Sequence, residues 1–171
     1  MKRTLLITAL FLFCLSCSSD DDGGGSVSTS PIVGTWRLIS YSYEGEMNSG
    51  GIPGTVTAVG TNINDVQVTL HPDGSISNNG NTFIVEFTIT VEGIPTTQEV
   101  ATQPMLEGST YRVEGNMMYV NNPESPIGEI GTPIIELNAN TLHLGGENLP
   151  PVVPVPGLSS IDLDIRYERV N

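Results

Sequence analysis

Cysteine is almost missing: Cys14 and Cys17 are the whole supply, and both stand at the start of the chain. Everything after residue 17 therefore lacks a disulfide, a thiolate metal site and a thiol nucleophile. Lysine is scarcer still, with Lys2 alone; Lys and Arg total 6 against 19 Asp and Glu, for a formal charge of −13. A chain so poor in cations cannot neutralise a phosphate backbone, which excludes nucleic acid as a partner. Alanine occupies only positions 9, 58, 101 and 139, so strong helix-forming segments are not expected. Histidine is limited to His71 and His143, without ligand-like spacing, and no Gly-x-Ser-x-Gly accompanies the serines. His71 precedes a Pro72-Asp73 turn and reads as an exposed rim residue. His143, between Leu142 and Leu144, reads as solvent-facing. No enzyme activity, metal or cofactor is expected.

What is present begins with an address. Lys2 and Arg3 precede an apolar stretch from Leu5 to Leu15. That stretch is short of the roughly 20 apolar residues that span a bilayer, and it suits a secretory signal over residues 1–16. Leu15-Ser16-Cys17 resembles the bacterial lipobox, with Cys14 where the family usually has Leu. The resemblance implies that Cys17 becomes the acylated N-terminus, carrying palmitate-type chains; the alternative is an ordinary signal peptide with an incidental cysteine. Several acyl chains on one residue give stable anchoring. Ser18, Ser19, Asp20, Asp21 and Asp22 follow, then a Gly/Ser-rich run to Ser30, so residues 17–30 read as a flexible acidic tether. The Cys-Ser-Ser-Asp-Asp-Asp run also resembles the surface-export signal of Bacteroidetes lipoproteins. It implies an outer-membrane location facing the cell exterior, with a periplasm-facing orientation as the alternative. Removal of Lys2 and Arg3 would leave four Arg against 19 acidic residues, a net charge of −15, so the lipid would hold the protein to the membrane without help from anionic headgroups.

Residues 31–171 read as one all-β domain. Phe83, Val85, Phe87, Ile89 and Val91 alternate with polar neighbours, as do Val66, Val68 and Leu70, and as do Ile161, Leu163, Ile165 and Tyr167. Alternation of this kind marks antiparallel strands with one face buried. Asx- and Gly-containing turns at Pro72-Asp73-Gly74, Glu114-Gly115-Asn116 and Asn138-Ala139-Asn140 separate the runs. About eight to ten strands on this length predict an up-and-down barrel, with a β-sandwich as the alternative. The stretches 44–54, 121–133 and 145–160, rich in Gly, Asn or Pro, read as long loops.

The opening Gly34-x-Trp36 and the closing Tyr167-x-Arg169 resemble the first and last strands of lipocalin-like proteins, as found among Bacteroidetes lipoproteins. The resemblance implies that Trp36 plugs one end of the barrel and that Arg169 packs across its ring. Gly34, Trp36 and Arg169 are thus the expected barrel-closure set. Such a barrel either encloses a small hydrophobic ligand or is filled by its own side chains. Val66, Val68, Leu70, Phe83, Val85, Phe87 and Ile89 are the expected cavity lining. Ile135, Leu137, Leu142, Leu144, Leu163 and Ile165 are expected to point inward with them. The functional expectation is a lipid-anchored, non-catalytic envelope lipoprotein binding a small hydrophobic molecule. The alternative is a surface interaction protein with a solid core, whose partner the sequence does not name.

Overall fold

Trp36, Leu38, Tyr41 and Tyr43 all turn toward the interior, yet they do not share one parity. Their strand is bulged: in the computed structural model the pairing of this strand with the last one shifts register between Leu38 and Ser40. The extra residue, Ile39, is left exposed, and the inward set changes from even to odd positions. The structure describes residues 30–105, 108–123, 128–151 and 156–171. The assignments to residues 1–16, to Cys17 and to Ser18 through Asp22 lie outside the described residues.

The described chain is all-β and antiparallel. In chain order the strands are β1 (Gly34–Ser49), β2 (Ile52–Thr61), β3 (Gln67–Leu70), β4 (Ile76–Asn78), β5 (Phe83–Val91), β6 (Ile94–Thr102), β7 (Thr110–Glu114), β8 (Met117–Asn121), β9 (Glu129–Leu137), β10 (Thr141–Leu149) and β11 (Ile161–Arg169). They hydrogen-bond in the order β6-β5-β2-β1-β11-β10-β9-β8-β7, with β3 beside β1 and β4 beside β3. Most neighbours are therefore sequence neighbours, the up-and-down pattern expected. The first half of β1 pairs with β3 and its second half with β2, so this 16-residue strand carries two separate hairpins along one edge.

The ladder does not close on itself. Its nearest approach to closure is a single bridge, Ser75 to Thr110, flanked by Ile76 N–H donating to Ser109 O (3.0 Å) and Tyr111 N–H to Gly74 O (2.7 Å). The Tyr111 hydroxyl adds a bond to His71 O at 2.7 Å. β4 thus touches β7 at one point, and the far side of β6 pairs with no described strand.

Three expectations about loops change. Residues 44–54, read as a loop because of their Gly and Asn, form the far end of the β1–β2 hairpin; Gly54 is required there because a Cβ would lie 2.7 Å from Thr90 O. β9 begins at Glu129 and β10 runs on to Leu149, each well inside stretches read as connections. The strand count is eleven because β4, flanked by two turns, is a strand in its own right.

Ile135 is the inward assignment that fails: it is 55% exposed. Leu142 pairs with Leu137 and His143 with Glu136, but Leu144 pairs with Ile134. Ile135 is the bulged residue, so Ile134 takes its inward place. The other assigned inward residues are buried or pack partly against the core.

Candidate functional site

Two regions of the interior differ in kind. At one end, Trp36 is fully buried and its indole N–H donates to Ile32 O at 2.8 Å. The Arg169 guanidinium lies 4.1 Å from the ring centroid, a geometry worth roughly 0.5–2 kcal/mol. The same group donates from Nε to Ala139 O at 2.7 Å, from Nη1 to Val33 O at 2.9 Å, and from Nη2 to Pro31 O. Gly34 explains itself here: its φ is +143°, and a Cβ would fall 2.2 Å from Arg169 Nη1. The glycine leaves the space that the guanidinium fills. Gly34, Trp36 and Arg169 therefore meet, joining the two ends of the domain through β1 and β11.

Val66, Val68, Leu70, Phe83 and Val85 pack into the core beside this end, all almost fully buried. Phe87 and Ile89 lie against the same core with partial exposure. Tyr41 and Phe83 meet edge-on at 5.4 Å, and Tyr43 and Phe87 at 6.0 Å. None of these seven residues belongs to the wall of the hollow bounded by the described residues of β8–β11.

A hollow of about 430 Å³ lies on the inner side of β8–β11, bounded also by Tyr41 and by residues 102–105. Its apolar wall includes Met105, Met118, Val120, Ile130, Leu144, Leu163 and Ile165; its polar wall includes Gln103, Ser109, Thr132, Tyr41 and Tyr167. The volume falls within the 300–1,000 Å³ usual for small-molecule sites. None of the described lining residues is charged. Three other depressions of about 500 to 590 Å³ border the β1–β2 hairpin, and each carries at least two carboxylates, drawn from Glu44, Glu46, Glu92, Glu147, Asp162 and Asp164. Those suit water, not an apolar guest.

One polar group in the wall of this cavity has no partner among the described residues. Ser109 is 1% exposed and its Oγ is buried without a hydrogen bond among the described residues. Burial raises the Tyr41 and Tyr167 phenols well above the usual range; Tyr43 adds to this at Tyr41, and Tyr41 at Tyr167. Both are therefore neutral hydroxyls. An unsatisfied buried hydroxyl costs about 1–3 kcal/mol, which a ligand acceptor or donor can recover.

The histidines occupy hydrogen-bonded sites that alternation did not reveal. His71 Nε2 lies 2.8 Å from Ser77 Oγ, across the β3–β4 hairpin, so it is not a free rim residue. The nearby Asp73 carboxylate is engaged by Ser75 N–H (2.9 Å) and Ser75 Oγ (2.6 Å), which holds it below the usual carboxylate range. His143, on the outer face, sits 2.9 Å from Asp164 Oδ2 and is largely covered by that contact. Arg166 Nε also reaches Asp164, at 3.1 Å, and the hydrogen bonds from Arg166 first and His143 second keep its carboxyl below the ordinary range. Among the described residues no group of three His, Asp or Glu is placed to hold a metal ion. No protein-family model, curated protein or solved structure matches this chain.

Proposed function

We propose that this chain is a lipid-anchored, non-catalytic lipoprotein of the outer envelope, with a lipocalin-like domain whose cavity takes up a small uncharged apolar molecule. The observation that carries the reading is the β8–β11 cavity: apolar over most of its wall, free of described charges, and furnished with the unpartnered Ser109 hydroxyl. A carboxylate buried there would meet no counter-charge, so a neutral molecule bearing one hydroxyl or carbonyl oxygen fits better than its acid. At roughly 30 Å³ per small group, the space suits about a dozen heavy atoms. The anchor reading draws on the Cys17 lipobox and the Asp20–Asp22 run; Cys17→Ala should abolish palmitate labelling, and labelling that persists would refute it.

The cavity is tested by titrating the full chain with an uncharged fluorescent naphthylamine and displacing it with decanol or decanoate. Decanol should compete at least about tenfold better than decanoate, and Met118→Trp, which puts a bulkier side chain into the wall of the hollow, should weaken probe binding. Probe affinity unchanged by Met118→Trp would place the probe outside this cavity.

The second reading, a surface interaction protein, draws on a different feature: the exposed edge strand β6.

A further inference from the structure

Strand β6 pairs with β5 on one side and with no described strand on the other. Every residue from Ile94 to Ala101 is exposed. A proline fixes which backbone groups are free. Pro95 stands opposite Thr90 and has no N–H, so that pair cannot exchange both ladder bonds. By alternation, Ile94, Thr96, Gln98 and Val100 bond to β5, while Thr97, Glu99 and Ala101 turn their N–H and C=O groups outward. The two-residue turn at Glu92-Gly93, with φ of +52° and +80°, is the type that sets such a hairpin. Edges are normally blunted by lysine, bulges or short length. β6 has nine residues, no lysine and no register shift against β5, and its proline guards only the turn end.

The side chains beside this edge specify a partner. On the outer face Glu86 stands directly opposite Glu99, and neither is in an ion pair among the described residues. Like charges in this position repel, and a cation placed alongside relieves them. On the inner face the buried Val85 is followed by Val100, which is 47% exposed, and the turn end carries Ile94, 69% exposed. An added strand would lengthen both rows at once, setting a cation beside Glu99 and an apolar side chain beside Val100.

We infer that β6 is a docking edge for an extended segment of a basic partner protein, in which Lys or Arg alternates with apolar residues and the segment joins the sheet as a further strand. A second copy of this chain fits less well. It would bring another Glu99 to the same edge, and each copy carries a formal charge of −13.

The test uses the full chain in detergent and a labelled peptide of about seven residues alternating Lys and Val, read by fluorescence anisotropy, with a Glu/Val peptide as control. The Lys/Val peptide should bind and shift the amide resonances of Thr97, Glu99 and Ala101, and the Glu/Val peptide should not. Glu99→Gln should weaken binding about tenfold. Thr97→Pro removes an outward N–H without breaking a ladder bond, and should abolish binding while Trp36 emission stays unchanged. Failure of the Lys/Val peptide to bind, equal binding of both peptides, or amide shifts away from β6 would overturn the inference. So would self-association of the chain that Thr97→Pro abolishes, since the occupant would then be a second copy.

Discussion

The Trp36 end and the β8–β11 cavity share β1 and β11 and follow opposite rules. At the first, the indole N–H and the Arg169 guanidinium all have acceptors, and Gly34 makes room for the cation. At the second, Ser109 Oγ is buried without a partner among the described residues, beside a hollow of about 430 Å³. Satisfied polar groups in a filled interior stabilise a fold. Unsatisfied ones beside a hollow cost stability, and a guest that comes within reach of them recovers part of that cost. One end of the domain holds the chain ends together, and the other leaves binding capacity unused.

Substitutions sharpen that contrast, and the largest effect should come from the filled end. Trp36→Ala should destabilise by about 3–5 kcal/mol in denaturant titrations followed by circular dichroism. Arg169→Ala should cost about 2 kcal/mol through lost stacking and hydrogen bonds, and the double variant less than the sum, because touching residues are not additive. Strict additivity would mean that the stacked pair contributes nothing as a pair. Gly34→Ala combines a backbone at φ +143° with displacement of the Arg169 guanidinium, and should cost about 2 kcal/mol. A neutral result would remove the close approach from the account.

Opposite in sign is Ser109→Ala. Loss of an unpaired buried hydroxyl should raise stability by about 1 kcal/mol while weakening the preference for decanol over a plain alkane. A destabilised variant would show that the hydroxyl already has a partner. The smallest effect belongs to the outer face. Asp164 is held below its ordinary range by Arg166 and then His143, so its contribution is present at neutral pH and declines as pH falls through that lowered value. Its carboxylate is more than a third exposed, which limits Asp164→Asn to less than about 1 kcal/mol at pH 7 and to nothing in strong acid. A loss that persists at pH 2 would point to packing instead of charge.

How far these regions could be read in the sequence follows the same division. Gly34, Trp36 and Arg169 were legible because they stand at fixed places in the first and last strands. What Gly34 does there was not, since it depends on a guanidinium 135 positions away. The cleanest alternation, Phe83 to Ile89, marked one strand whose inward side chains are buried or packed partly against the core. The cavity wall comes from β8–β11 and residues 102–105, where short strands and bulges break the pattern. Ile135 shows the cost: one bulged residue reversed the facing of its neighbours. Gly and Asn in residues 44–54 read as loop, although two strands packed closely need glycine where backbone meets backbone.

The most direct test of a filled end and a hollow end in one domain is a crystal of the full chain under xenon pressure. Xenon enters dry apolar cavities and avoids packed cores. The account predicts xenon density among Met118, Leu144 and Ile165, and none around Trp36. An empty β8–β11 interior, or xenon beside Trp36, would contradict it.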